Sequence, residues 1–155
     1  MLTSDLVALL ESGALIVGTV GPDGAPWAAR GWGLDVLDDG ARVRLLLPAD
    51  DVVLLGHLAS GAPVAVTAAD VETLQAVQLK GRADGLAAAT DDDRARSRRY
   101  TDGYHGAVLE VDDVPVELME RQVPVDLVRC EVAVDGVFDQ TPGPGAGAPI
   151  TGDRA

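Results

Sequence analysis

Two tight-turn signals, Gly21-Pro22-Asp23-Gly24 and Asp38-Asp39-Gly40, cut the first third of the chain into apolar runs of strand length. Ala14 to Val20, Ala25 to Val36 and Arg42 to Leu47 are therefore read as three strands joined by short connections, an antiparallel meander. Pro63 to Ala69 reads as a fourth strand, Leu74 to Asp84 as a fifth, and Val125 to Phe138 as the last. The apolar residues are mostly Ala, Val and Leu, with only 3% aromatic, which suits sheet packing of small and branched side chains.

Helices are inserted between these runs. Thr3 or Ser4 caps a short helix through Leu10, with Asp5 in its first turn and Gly13 just past its end. Pro48-Ala49-Asp50 opens a second, in which Val52, Val53, Leu55 and Leu58 form a stripe ending near Gly61. Thr90-Asp91-Asp92-Asp93 marks a third start, since carboxylates favour the positive end of a helix. Val114 to Arg121 reads as a further short helix, and the Gly/Pro-rich tail from Thr141 as lacking regular structure. The sum is one domain of α+β class: a barrel of about six antiparallel strands with a few short helices. A chain of 155 residues is long enough to bury roughly two-thirds of its unfolded surface.

Charge narrows the function. The formal net charge is −13, and Lys80 is the sole lysine beside eleven arginines. Strand alternation puts Gln78, Lys80 and Arg82 on one face of the fifth strand, with Val77 and Leu79 on the other. Two cations and an amide concentrated on an acidic molecule fit a phosphate, which lysine meets as a point charge and arginine as a fork. A coding bias that replaced most lysines by arginine accounts for the pattern equally simply. The acidic balance argues against nucleic acid or an anionic membrane as partner.

No charged-then-apolar signal opens the chain and no run approaches the roughly 20 apolar residues of a membrane span, so a cytoplasmic location is expected. Cys130, in the run Leu127 to Val132, is expected to be a buried structural thiol. Zinc-type spacings, a Gly-x-Ser-x-Gly elbow and a Gly-rich loop ending in Lys-Ser or Lys-Thr are all missing, so no metal site or side-chain nucleophile is expected. Any difficult chemistry would fall to an organic cofactor.

The N-terminal helix, the meander carrying Asp23-Gly24-Ala25-Pro26, then Arg30-Gly31-Trp32-Gly33 and later Gln78-Leu79-Lys80-Gly81-Arg82 resemble the pyridoxamine phosphate oxidase-like, FMN-binding split-barrel superfamily. The similarity runs from about Leu2 to Phe138. It implies a six-stranded antiparallel split β-barrel over residues 1–140 with a tail at 141–155. It also implies a homodimer with FMN in the grooves between subunits, and an FMN-dependent oxidoreductase acting on an unknown small molecule. Relatives that use a deazaflavin or heme keep two alternatives open: a deazaflavin-dependent reductase, or a non-catalytic flavin- or heme-binding protein.

Carried over residue by residue, the resemblance makes Arg30 and Lys80 the holders of the FMN phosphate, with Gln78 beside them and Thr67 bordering the ring or ribityl chain. Arg82 joins them from the shared strand face. Trp32 shares a strand face with Arg30 and could stack on a flat ring, though a core position is commoner for tryptophan. His57 and His105 are the histidines a heme could use, though each reads more simply as structural. Arg94, Arg96, Arg98 and Arg99 either bind a substrate anion or neutralise Asp91 to Asp93 on a solvated helix. Those arginines, or Arg82, would have to meet the longer acidic tail of a deazaflavin. The arginine- and aromatic-rich C-terminal segment of the oxidases proper is missing, so pyridoxamine phosphate is a poor guess for substrate. The Gln140-Thr141-Pro142-Gly143-Pro144-Gly145-Ala146-Gly147 stretch resembles tails of actinobacterial relatives. There it would fold over the cofactor groove or the partner subunit.

Overall fold

The computed structural model describes residues 2–150. Four helices and seven strands follow one another as α1 (Ser4–Ser12), β1 (Ala14–Val20), β2 (Pro26–Arg30), β3 (Leu34–Leu37), β4 (Arg42–Pro48), α2 (Val52–Ala59), β5 (Pro63–Ala69), β6 (Ala76–Ala88), α3 (Asp91–Val111), α4 (Val116–Glu120) and β7 (Leu127–Asp139). All strands belong to one antiparallel sheet in the order β2-β1-β5-β6-β7-β4-β3. The expectation of six strands is thus corrected to seven, and the sheet is not closed by pairing between its edges.

The extra strand comes from the run expected to be one strand from Ala25 to Val36. Gly31 N–H still donates to Leu15 of β1 (3.1 Å), but Trp32 N–H already donates to Leu46 of β4 (2.8 Å). The chain changes partners within one peptide unit. Gly33 makes this possible with φ of 147°, and a Cβ at Gly31 would stand 2.9 Å from that of Leu15. Because β2 and β3 are the two edges of the sheet and three residues span at most about 10 Å, the edges lie side by side. The sheet is coiled around its core and split along one seam.

Alternation then sorts the side chains. Leu15, Val17, Val43, Leu45, Leu47, Val64, Val66, Val77, Leu79 and Val132 fill the interior, capped by Leu10 of α1, Leu54 and Leu58 of α2 and Tyr100 of α3. Cys130 is in that core as expected, its thiol pushed up to about 11 by burial. Tyr100 fastens α3 to the α1–β1 junction: its hydroxyl donates to Gly13 O (2.9 Å) and accepts from Leu15 N (3.2 Å). Thr90 caps α3 through a reciprocal capping box with Asp93.

The tail beyond β7 adds no helix or strand, but it is tied down. Residues 141–150 turn back so that Ile150 N–H donates to Val137 O (2.8 Å), Asp139 N–H to Ala148 O (2.9 Å), and Phe138 bridges Pro149. These bonds occupy the part of β7 that extends past its pairing with β4.

Candidate functional site: a groove on the outer face of β1, β5 and β6

The outward face of the sheet is built in rows across the strands. One row runs Ala28–Gly18–Ala65–Lys80–Gly136 and the next Arg30–Ile16–Thr67–Gln78–Phe138. Small residues at Gly18 and Ala65 leave a flat floor, and a groove of about 460 Å³ lies over it, walled by Val20, Trp27, Lys80, Arg82 and Asp135. That size suits a cofactor-sized ligand. The Lys80 ammonium stands 4.6 Å from the centre of the Phe138 ring, and among the described residues neither Lys80 nor Arg82 forms an ion pair. Two unpaired cations beside a small-residue floor fit a phosphate-bearing planar group.

A β-bulge shapes this end of the groove. Lys80 faces Gly136 and Gly81 faces Val134, so Asp135 is the unpaired extra residue of β7. The two backbones come so close there that a Cβ at Gly81 would lie 2.0 Å from Ala133 O.

Sequence reasoning named six residues, and the structure distributes them over three places. Lys80 and Arg82 line the groove. Gln78 donates from Nε2 to Thr67 Oγ1 (2.9 Å), one row along on the same face. Arg30 lies three strands from Gln78 in that row, about 14 Å at normal strand spacing. Its Nη1 donates to Tyr104 Oη (3.0 Å), and the guanidinium rests 4.5 Å from the Tyr104 ring and 5.5 Å from that of Trp32. Arg30 Nε and Nη2 are buried without a partner. Trp32 is 2% exposed and packs with Ala89 and Leu127, so its faces are taken by the protein.

The other candidates lie away from the groove. His57 is held by Thr19 Oγ1 (2.9 Å) and packs against Gly21, and His105 lies on α3 beside Tyr104. Arg96 and Arg99 border a cleft of about 360 Å³ between α1 and α3, and Arg94 and Arg98 one of about 340 Å³ between α3 and residues 123–127. Arg96 is spoken for by Asp35 (2.7 Å), whose carboxyl burial raises against the lowering pull of that arginine. Sequence reading missed Gly18, Trp27 and Asp135 as groove residues. The available signals were Gly81 inside a strand run and the Asp135-Gly136 pair inside another, both marks of a bulge.

No family model matches the sequence, and no curated protein does. Solved structures do. HupZ of Group A Streptococcus is 16% identical with a TM-score of 0.60 over 96% of this chain and 99% of its own. A putative pyridoxamine 5'-phosphate oxidase from Lactobacillus delbrueckii is 22% identical, TM-score 0.57, over 88% and 93%. An F420 reductase is 18% identical, TM-score 0.54, over 84% and 93%. The protein therefore shares its fold with these proteins, a putative pyridoxamine 5'-phosphate oxidase and an F420 reductase among them.

Proposed function

We propose that this chain binds a flavin or deazaflavin phosphate in the outer-face groove and acts as an oxidoreductase on a small molecule. The observation that carries the reading is the groove itself: a flat floor at Gly18 and Ala65 flanked by Lys80 and Arg82, two cations without an ion-pair partner among the described residues of an acidic chain. Structural relatives that include an F420 reductase and a putative pyridoxamine 5'-phosphate oxidase support the same chemistry.

In this reading Lys80 and Arg82 hold the phosphate, and Thr67 and Gln78 border the cofactor one row along. Arg30 and Trp32 act through packing at the seam, with the two unpartnered nitrogens of Arg30 available to an anionic group brought to that face. The exposed Ile16 and Val20 (45% and 43%) give the face an apolar surface that a second copy would cover, so a homodimer belongs with the proposal. A cytoplasmic location belongs with it too. Among the described residues no helix is long and apolar enough to cross a membrane. The cofactor, when bound, supplies the hydride or electron transfer, while the protein binds, orients and excludes water.

Titration of the protein with FMN and with a deazaflavin phosphate, read by absorption and fluorescence, tests the reading. A charge-assisted bond worth about 1.5–3 kcal/mol makes Lys80→Met weaken binding about ten- to a hundredfold. Equal binding by Lys80→Met overturns the site. An enzyme then oxidises a reduced nicotinamide donor when an acceptor is present, whereas a carrier binds the cofactor and leaves the donor unchanged.

A further inference from the structure

The groove carries both signs of charge. Asp135, the bulged residue of β7, lines it together with Lys80 and Arg82. A carboxylate present only to neutralise those cations would touch one of them, yet among the described residues Asp135 forms no ion pair with either. The bulge is costly to build, since it tolerates no side chain at Gly81, and bulges re-aim side chains next to binding sites.

The four arginines of α3 that could receive further negative charge are elsewhere, and Arg30 rests against Tyr104 at the seam outside the groove lining. Arg96 is paired with Asp35 (2.7 Å), and Arg94 reaches Asp91 (3.4 Å) and Asp126 (3.6 Å). Arg98 and Arg99 border clefts on α3, and none of these four lines the groove. A second copy covering the face would bring the same net charge of −13. Local positive charge at the groove is thus enough for one phosphate, with the Asp135 carboxylate beside it.

We infer that Asp135 sets the anionic limit of the groove: it admits a flavin-type ligand whose only anionic group is a phosphate and rejects one extended by a carboxylate-bearing tail. This rests on the cofactor reading above and deepens it, because it separates FMN from a tail-bearing deazaflavin. Like charges brought together at a protein surface repel, and the penalty is screened as salt rises.

Three probes decide it by equilibrium titration at low and at moderate salt: FMN, an intact deazaflavin cofactor with its oligoglutamate tail, and the same deazaflavin phosphate without the tail. FMN and the tail-free deazaflavin are expected to bind alike, with the intact cofactor weaker by about tenfold or more at low salt. Asp135→Asn narrows that ratio, and so does added salt. Intact deazaflavin binding as tightly as the tail-free form overturns the inference, as does a ratio that Asp135→Asn leaves unchanged. A tail-free deazaflavin that binds as poorly as the intact one moves the discrimination to the ring and also overturns it. Failure of all three probes to bind removes the cofactor reading, and the inference falls with it.

Discussion

Gly81 is the position where one added methyl group should do most damage. It faces Val134 across β6 and β7, and a Cβ there would lie 2.0 Å from Ala133 O, 3.0 Å from Ala133 C and 3.1 Å from Val132 Cγ1. Non-bonded carbon contacts are comfortable near 3.5 Å, so the backbones must separate by about 1.5 Å. The obstacle is main chain and cannot rotate aside. Overpacking strain of about 1–3 kcal/mol adds to the loss of one or two ladder bonds at about 1 kcal/mol each. Gly81→Ala is therefore expected to cost about 3 kcal/mol. With a urea slope of about 2 kcal/mol/M, the unfolding midpoint drops by about 1.5 M. Gly103→Ala is the control. It lies inside α3 with nothing within 4 Å of the new Cβ, so it should gain about 0.5–1 kcal/mol and raise the midpoint. A Gly81→Ala midpoint within about 0.2 M of wild type would refute the account of the bulge.

Tyr100→Phe removes the hydroxyl that joins Gly13 O and Leu15 N, leaving two buried backbone groups unpaired; a loss of about 1–3 kcal/mol is expected in thermal or urea unfolding. Burial pushes the Tyr100 phenol up to about 12, above its ordinary 10, so its share of stability is intact below pH 10 and is lost as pH rises toward 12, readable by ultraviolet difference spectra alongside unfolding. Arg96→Gln leaves the buried Asp35 carboxylate without its 2.7 Å partner. Burial is the largest influence on Asp35 and raises its pKa, so protonation relieves the damage: the variant's stability deficit should be greater at neutral pH than in acid, the opposite of a loss confined to packing.

Local signals were legible wherever one segment determined the outcome. The turns at Pro22-Asp23 and Asp38-Asp39, the Thr90 cap, the run from Pro63 to Ala69 and the alternation of Gln78, Lys80 and Arg82 all depend on neighbours in sequence, and all are found in the structure. The run from Ala25 to Val36 was misread because its apolar character continues while its partner changes. Gly31 pairs with β1 and Trp32 with β4, strands that are far apart in the sheet order and meet only because the sheet coils. Alternation alone put Arg30 and Trp32 on one face. They do remain in contact, at 5.5 Å, but the switch turns the indole into the core while Arg30 stays outside against Tyr104.

The same distinction explains the site. Lys80 could be found in one strand because its isolation among arginines and its alternation are properties of that strand. Its surroundings could not, because they are assembled by register. Gly18 and Ala65 become a floor only when β1 and β5 align Gly18 with Ala65 and β6 then aligns Ala65 with Lys80. Asp135 reaches the groove only because β7 holds one residue more than β6 opposite Gly81, and that surplus exists in neither strand alone. A shift of one residue in either register would turn Lys80 toward Val66 and Leu79 toward solvent, burying a charge and exposing the core. The hydrophobic pattern that fills the core of the sheet therefore also aims the cations. Stability and the placement of Lys80 and Arg82 are one constraint, and under the proposed cofactor reading a variant such as Gly81→Ala that loosens the bulge should lose ligand binding before it loses the fold.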